Sequence, residues 1–419
     1  MRSILFDATR LFIRGSRFSP TGIDRVVLAY ARWLLGRDDV DLQPVITAGG
    51  SVWRFPRALL ADIVEGAEIF RAMARDEANV DESWAKIAAA LRTTPDQSTA
   101  PFRAKSIAGQ LPARVLWHAR VAGRSFWRLR PARVKPGTIY VNVSHTGLGD
   151  PGLLPKLAAN GVRSALMIHD LIPIEFPEYC APGAYARHVR RMDGILGNTS
   201  LVISNSRTTS ESLTVYAKKI EQPLPPIKVA PLGVEPDFVA PPSPLEGAWP
   251  YFVCVGTIEA RKNLAFLLAL WRRLYERQGT APPRLVLVGR RGWENESVLD
   301  HLDRSRAAAR LVHEVSDLQD LHLAKLVGGA RALLAPSFAE GFDLPVMEAL
   351  SLRTPVIASD IPVHRELAGM SKLIDPLDGP GWLEAIENAG PTCGPAFSAP
   401  TWEDHFALLE GTILGRATS

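Results

Sequence analysis

The strongest constraint on this chain is a rhythm. Short apolar runs, "SILFD", "TIYVNV", "SALMIHD", "LVISNS", "YFVCVGT", "RLVLVG", "ALLAPS" and "TPVIASD", alternate with helical patterns through most of the sequence. Runs apolar on both faces belong to strands covered on both sides, and parallel strands of that kind need a crossover helix between each pair. The chain is therefore expected to be α/β.

At 419 residues the chain exceeds what one ordinary core serves, so two domains are expected. Prolines crowd the stretch 221–250, and a residue that neither donates to a ladder nor continues a helix makes a stiff connector there. This places the boundary near Gly233, with residues 1–232 as one Rossmann-like domain and 233–395 as a second facing it. Residues 396–419 are expected to form a helix that packs back on the first domain. The block Thr93 to Ala113 lacks periodicity and reads as a surface insertion.

With 47% apolar and 22% charged residues the chain has enough apolar material for large cores, which excludes disorder as the default. A net charge of +4 is small, so any anionic partner would be met by local basic surfaces. The three cysteines, Cys180, Cys254 and Cys393, are far apart and form no CxxC pair, arguing against a disulfide framework or a zinc site and for a reducing cytoplasm. The first ten residues hold an apolar run too short for a signal peptide and broken by Asp7, and no stretch reaches the ~18 apolar residues of a membrane span.

Chemistry concentrates in the second half. In "SFAEGFDLPVMEAL", Ser337 to Leu350, Pro345 suits the first turn of a helix, placing Glu340 in the preceding loop and Glu348 within the helix. Amides around Phe342 to Val346 then point from a helix start at the carboxyl end of a strand, where amides and the helix dipole hold phosphate. A loop carboxylate, an amide nest and a first-turn carboxylate match the layout of a nucleoside diphosphate sugar. The plainer alternative is that Glu348 complements the dipole and Glu340 is solvated. In "VCVGTIEARKNL", Gly256 ends a strand, and Arg261 and Lys262 follow at the start of the helix Leu264 to Leu274. Two adjacent cations there suit a diphosphate, although a solvated Arg-Lys pair is the commoner use of such residues.

Three stretches, "GTIEARKN", "LVLVGRRGW" and "APSFAEGFDLPVMEALSLRTPVIASDIPVHRE", occur in that order and resemble the second domain of retaining GT-B glycosyltransferases, group 1 or family 4. The likeness is closest to mannosyltransferases of bacterial surface polysaccharide assembly. It implies that Arg261 and Lys262 bind the donor diphosphate and that Glu340 contacts the sugar hydroxyls. It also places the amides of Gly341, Phe342, Asp343 and Leu344 beside sugar and phosphate, has Glu348 hold the ribose, and includes Gly256 and Thr257 in the donor site. Asp343 stands where glycine is usual. No resident cofactor or metal is implied, the sugar nucleotide being a substrate, and the configuration at the sugar is implied to be retained.

The first half matches more loosely. "TGIDRVVLAYARWLL" puts Ile23, Val27, Tyr30 and Leu34 on one helical stripe and resembles the family's first glycine loop, making Gly22 and Arg25 candidates for donor phosphate or acceptor. For Arg25 a solvated helix position is the alternative. "HDLIP" ends a strand with His169 and Asp170, read as a cleft pair contacting sugar or acceptor. The Arg-rich segment 114–135 reads either as an interfacial helix on anionic lipid or as an amphipathic core helix with a solvated Arg120, Arg124 and Arg128 face.

The resulting expectation is a cytoplasmic, membrane-peripheral glycosyltransferase carrying a hexose, with GDP-mannose the favoured donor, to a glycan or lipid-linked acceptor. Nucleic acid is not an expected partner, and the oligomeric state stays open. Competing readings are a transferase using UDP- or dTDP-sugars such as rhamnose donors, a nonhydrolysing nucleotide-sugar epimerase, and a noncatalytic glycan-binding subunit. A nicotinamide oxidoreductase lacks a GxGxxG opening a βα unit. The acidic "DDVD" at Asp38 to Asp41 follows a helix in an expected surface turn, not a strand's carboxyl end.

Overall fold

The computed structural model describes residues 1–14, 21–73, 82–94, 102–105, 129–239, 245–278, 282–293, 295–391 and 393–414. Among the described residues, fifteen strands follow in chain order. Those of the first half are β1 (Arg2–Asp7), β2 (Val40–Ala48), β3 (Ser51–Arg54), β4 (Phe102–Lys105), β5 (Arg130–Pro131), β6 (Ile139–Asn142), β7 (Arg163–Ile168), β8 (Leu201–Ser204) and β9 (Ile227–Val229). Those of the second are β10 (Tyr251–Val255), β11 (Arg284–Val288), β12 (Val312–Ser316), β13 (Leu333–Ala335), β14 (Val356–Ser359) and β15 (Lys372–Ile374).

Two sheets form, ordered β5-β3-β2-β1-β6-β7-β8-β9 and β15-β14-β13-β10-β11-β12-β4. The second is parallel throughout, and the first is parallel except where β3 and β5 turn antiparallel at one edge. The apolar runs do what their composition dictates. β6 and β8 are buried along their whole length, as are β11, β13 and β14.

The domain division differs from expectation at one place. Residues 102–105, read as part of a surface insertion, form β4 at the edge of the second sheet, with Phe102 opposite His313 and Lys105 opposite Ser316. The physical anchor is Arg284, which is fully buried at the start of β11. Its guanidinium donates to the carbonyls of Ala90 and, at 2.6 Å, of Thr93, fixing the end of the Glu82–Arg92 helix on the second domain. The first 232 residues thus do not form one contiguous unit.

Of the Arg-rich segment 114–135, Arg120, Arg124 and Arg128 lie outside the described residues, and Arg130–Pro131 forms β5 against β3. Among the described residues, no helix is long and apolar enough to cross a membrane. The helix Trp402–Leu414 lies on the Gly22–Leu35 helix of the first domain. Phe406 stacks on Trp33 at 4.6 Å, and His405 Nε2 is 2.9 Å from the Tyr30 hydroxyl.

The carboxyl ends of β7 and β13 face each other across the domain boundary. The Ser206 hydroxyl donates to the Gly341 carbonyl at 2.8 Å. Glu366 of the second domain accepts from the backbone N–H groups of Arg207 and Thr208 at 2.7 and 2.9 Å, at the start of the Arg207–Lys219 helix. Those amides are among the four that a helix leaves unpaired, and the carboxylate also complements the dipole. One domain therefore caps a helix of the other.

Candidate active site

The loop after β10 is shaped by its glycine. Gly256 has φ of 147°, a conformation L side chains rarely adopt, and a Cβ there would meet Lys262 Cε at 2.7 Å. The chain then makes a tight turn at Ala260–Lys262 before the helix Leu264–Gln278, so both cations sit on the turn instead of the helix proper. Asn263 follows with φ of 54° and donates to the Pro376 carbonyl at 2.9 Å.

The second loop supplies the counter-charges. Glu340 Oε1 pairs with Lys262 Nζ at 2.6 Å and Oε2 with Arg261 Nη1 at 2.5 Å. Asp343 lies 3.6 Å from Lys262 Nζ and 3.1 Å from His364 Nε2. Arg261 is braced on its other side by Glu259 at 2.5 Å. Lys262 and Asp343 are buried, as is His364. Burial opposes each charge, but the partners prevail. Desolvation would lower the Lys262 pKa, yet Asp343 and Glu340 raise it above the ordinary lysine value. Desolvation would raise Glu340, yet Arg261 and Lys262 hold it below the usual carboxylate value. Asp343 is likewise depressed against its burial by Lys262 and by the His364 bond.

Asp343 has φ of 61° immediately before the Leu344–Ser351 helix. That left-handed turn explains why glycine is usual there, and Asp is among the few other residues that tolerate it. Phe342 and Leu344 are buried. A Cβ on Gly341 would lie 2.1 Å from the His169 carbonyl oxygen and 3.0 Å from Asp170 Cβ, so the two loops approach closely at this glycine.

On the first domain, His169 is buried at the end of β7, and its Nε2 is 2.8 Å from the Val143 carbonyl. A carbonyl only accepts, so Nε2 carries the proton. Burial lowers the His169 pKa, which keeps the ring neutral with Nδ1 as an acceptor. Asp170 and Glu340 line a pocket of about 230 Å³ together with Phe176, Thr209 and Phe338. Phe338 stacks on Tyr179 at 5.2 Å, closing one side.

Gly22 is exposed at the start of its helix, and a Cβ there would lie 3.2 Å from Leu344 Cδ1 across the cleft. Arg25 is not solvated. It is buried, and its guanidinium donates to Glu348 and, at 2.5 Å, to Asp320. Thr257 is half-buried, with its methyl group toward Gly292. The structure therefore groups Arg261, Lys262, Glu340 and Asp343 in one charged cluster, sets Gly341 against His169, and joins Arg25 to Glu348.

Sequence reasoning missed Glu259, Asp320, His364 and Glu366. His364 and Glu366 stand in the quoted "PVHRE", and their role could have been suspected from that stretch; Asp320 carries no local signal. Asp39 and Asp41 of "DDVD" flank the amino end of β2, the end opposite the cleft. Among the described residues, no group of three or more His, Cys, Asp or Glu is placed to hold a metal ion.

Residues 249–389 match the family model "Glycosyl transferases group 1". Among curated proteins, the chain is similar to the serotype-specific mannosyltransferase WbdA of Escherichia coli, 27% identical over 230 residues, which are 51% of this chain and 28% of that protein. It is also similar to the O-antigen chain mannosyltransferase RfbU of Salmonella typhimurium, 28% identical over 234 residues, 54% of this chain and 60% of that one. The match thus spans less than two thirds of these relatives. Among solved structures, sucrose-phosphate synthase from Thermosynechococcus elongatus aligns with a TM-score of 0.59 at 17% identity, covering 99% of this chain and 97% of that one. Anabaena Alr3699/HepE in complex with UDP aligns at 0.54 and 14% identity, covering 92% and 89%. The fold is GT-B, and residues 249–389 are similar to the group 1 glycosyltransferases.

Proposed function

We propose that this chain is a retaining, metal-independent mannosyltransferase that takes mannose from GDP-mannose and adds it to a glycan or lipid-linked oligosaccharide at the inner face of the cytoplasmic membrane, in surface polysaccharide synthesis. The observation that carries the reading is the convergence of Lys262 and Arg261 on Glu340 at the carboxyl ends of β10 and β13. The mannosyltransferase relatives support mannose as the sugar.

As the glycosidic bond breaks, the departing diphosphate gains charge while the sugar becomes oxocarbenium-like. Lys262 and Arg261 meet that charge as fixed donors, and the amides leading into the Leu344–Ser351 helix add a positive dipole end. Glu340 orients the two cations and presents its carboxylate to sugar hydroxyls. The neutral Nδ1 of His169 accepts from a substrate hydroxyl. Glu348 binds the ribose, and two carboxylates divided in this way serve binding, with no hydrolytic acid-base pair.

The test is a thermal-shift screen of GDP-mannose against UDP-glucose and dTDP-rhamnose, followed by transfer assays with and without EDTA and proton NMR of the product anomer. Selective stabilisation by GDP-mannose, EDTA-resistant transfer and an α-mannoside product are expected. Stabilisation by another sugar nucleotide alone would reassign the donor.

A further inference from the structure

Arg25 and Glu348 are 323 residues apart and come from opposite domains. The guanidinium donates through Nη1 to Glu348 Oε1 and through Nη2 to Asp320 Oδ1 at 2.5 Å, and its carbon lies 5.5 Å from the centre of the Phe238 ring. Arg25 is only 7% exposed and Glu348 3%. Forked donors locked between two carboxylates above an aromatic ring have one orientation, so the carboxylate they hold has one as well. The Arg25 bond takes Oε1, and among the described residues no hydrogen bond to Oε2 is seen.

We propose that Arg25 is a positioning residue for the nucleotide: supplied by the first domain, it fixes the Glu348 carboxylate of the second, so the ribose site is complete only with the domains together. This rests on the ribose role given to Glu348 above. The surroundings show why such help is needed. Burial pushes the Glu348 pKa up to about 7, Arg25 on the Gly22–Leu35 helix opposes the rise, and Asp320 on the Asp320–Gly328 helix and Glu235 beside Pro236 add to it. Arg32 lies 3.6 Å from Glu235 and so faces the same acidic group. Without the guanidinium, Glu348 would be protonated at neutral pH and would lose acceptor capacity toward two hydroxyls.

The experiment is calorimetric titration of the full chain with GDP, UDP and dTDP, continued with the tightest binder at pH 7 and pH 9. Arg25→Gln should weaken binding about tenfold or more at pH 7 and by less at pH 9, while Arg25→Lys, which keeps the charge but not the fork, should bind more weakly than wild type and more tightly than Arg25→Gln at pH 7. Asp320→Asn relieves the acidic pressure on Glu348 and should flatten the fall in affinity between pH 8 and pH 6, which keeps the test open should Arg25→Gln not fold.

Unchanged or tighter binding by Arg25→Gln at pH 7, an equal loss at both pH values, or an unaltered pH profile for Asp320→Asn would overturn the proposal. Glu348→Ala separates the two readings. If it binds nucleotide normally, the ribose assignment and the Arg25 role both fall. If it binds about tenfold more weakly while Arg25→Gln does not, only the Arg25 role falls.

Discussion

Lys262 Nζ sits 2.6 Å from Glu340 Oε1, a cation of one loop held by a carboxylate of another, at the point where two parallel strands end. Lys262 is buried and the Glu340 side chain is only 7% exposed, so neither charge is well screened, and each depends on the other. A diphosphate arriving here meets a lysine already desolvated and aimed. Lys262→Ala is therefore expected to lower kcat by about 100- to 1,000-fold in steady-state transfer assays, the usual cost of losing one such donor. Near-normal turnover would remove Lys262 from the chemistry.

The pair His364 and Asp343 gives a pH signature. His364 Nδ1 donates to the Ser359 carbonyl at 2.8 Å and Nε2 to Asp343 at 3.1 Å, so both nitrogens act as donors to oxygen. Burial lowers the His364 pKa, but the Asp343 bond raises it above the ordinary value. A group raised on folding stabilises below its unfolded pKa, about 6.5 for histidine, and loses that contribution as pH climbs through the folded value. Asp343, depressed on folding, loses its share as pH falls through its own low value. Thermal melts should show stability falling from pH 6.5 upward in the wild type and a flatter curve in His364→Gln. At pH 6 the variant should be about 1.5 to 3 kcal/mol less stable.

Much of this architecture is legible in the amino-acid order because its causes are local. Runs such as "LVISNS" and "RLVLVG" are apolar on both faces wherever they are placed, and Pro345 marks a helix start by its own covalent geometry. The cluster of Arg261, Lys262 and Glu340 was legible through two short motifs. Contacts between distant segments were not. Residues 102–105 join a sheet whose partner strand lies some 210 positions later, and nothing in "FRAK" names that partner. Arg25 was a candidate for phosphate or solvent, because its carboxylate partners Asp320 and Glu348 belong to the other domain.

The buried Arg284 tests the displaced segment. Arg284→Met keeps the apolar stem but leaves the carbonyls of Ala90 and Thr93 without their donor. A buried carbonyl left unpaired costs about 1 to 3 kcal/mol, so the expected loss is about 2 to 4 kcal/mol in urea unfolding. Protease cleavage between residues 93 and 102 should also quicken. A change within about 0.5 kcal/mol would mean that the helix end is held by other contacts.

Glu366→Ala probes the helix cap that spans the domains. The carboxylate serves the amides of Arg207 and Thr208 and the Thr208 hydroxyl at 2.9 Å, and losing such a cap costs about 1 kcal/mol. The cost falls on the contact between domains and spares each core. A larger radius of gyration in X-ray scattering and a raised donor KM are expected, with the main unfolding transition little moved. Unchanged scattering would show the contact to be dispensable for closure.

Gly341→Ala is the most local way to separate the halves. The new Cβ would lie 2.1 Å from the His169 carbonyl oxygen, a backbone atom that cannot rotate aside, and the Gly341 carbonyl would move away from its Ser206 and Thr209 donors. Both loops keep their own strands, so the melting temperature should fall by only a few degrees. The distance from His169 and Asp170 to Glu340 would grow by about 1 Å, a displacement that costs about 100-fold when reacting groups must be aligned. Turnover should drop by that order, and GDP affinity should fall as well to the extent that the parted domains lose the Arg25–Glu348 contact, while Arg261 and Lys262 stay in place on the second domain. Full turnover in Gly341→Ala would mean that the cleft tolerates a looser approach than the backbone contact implies.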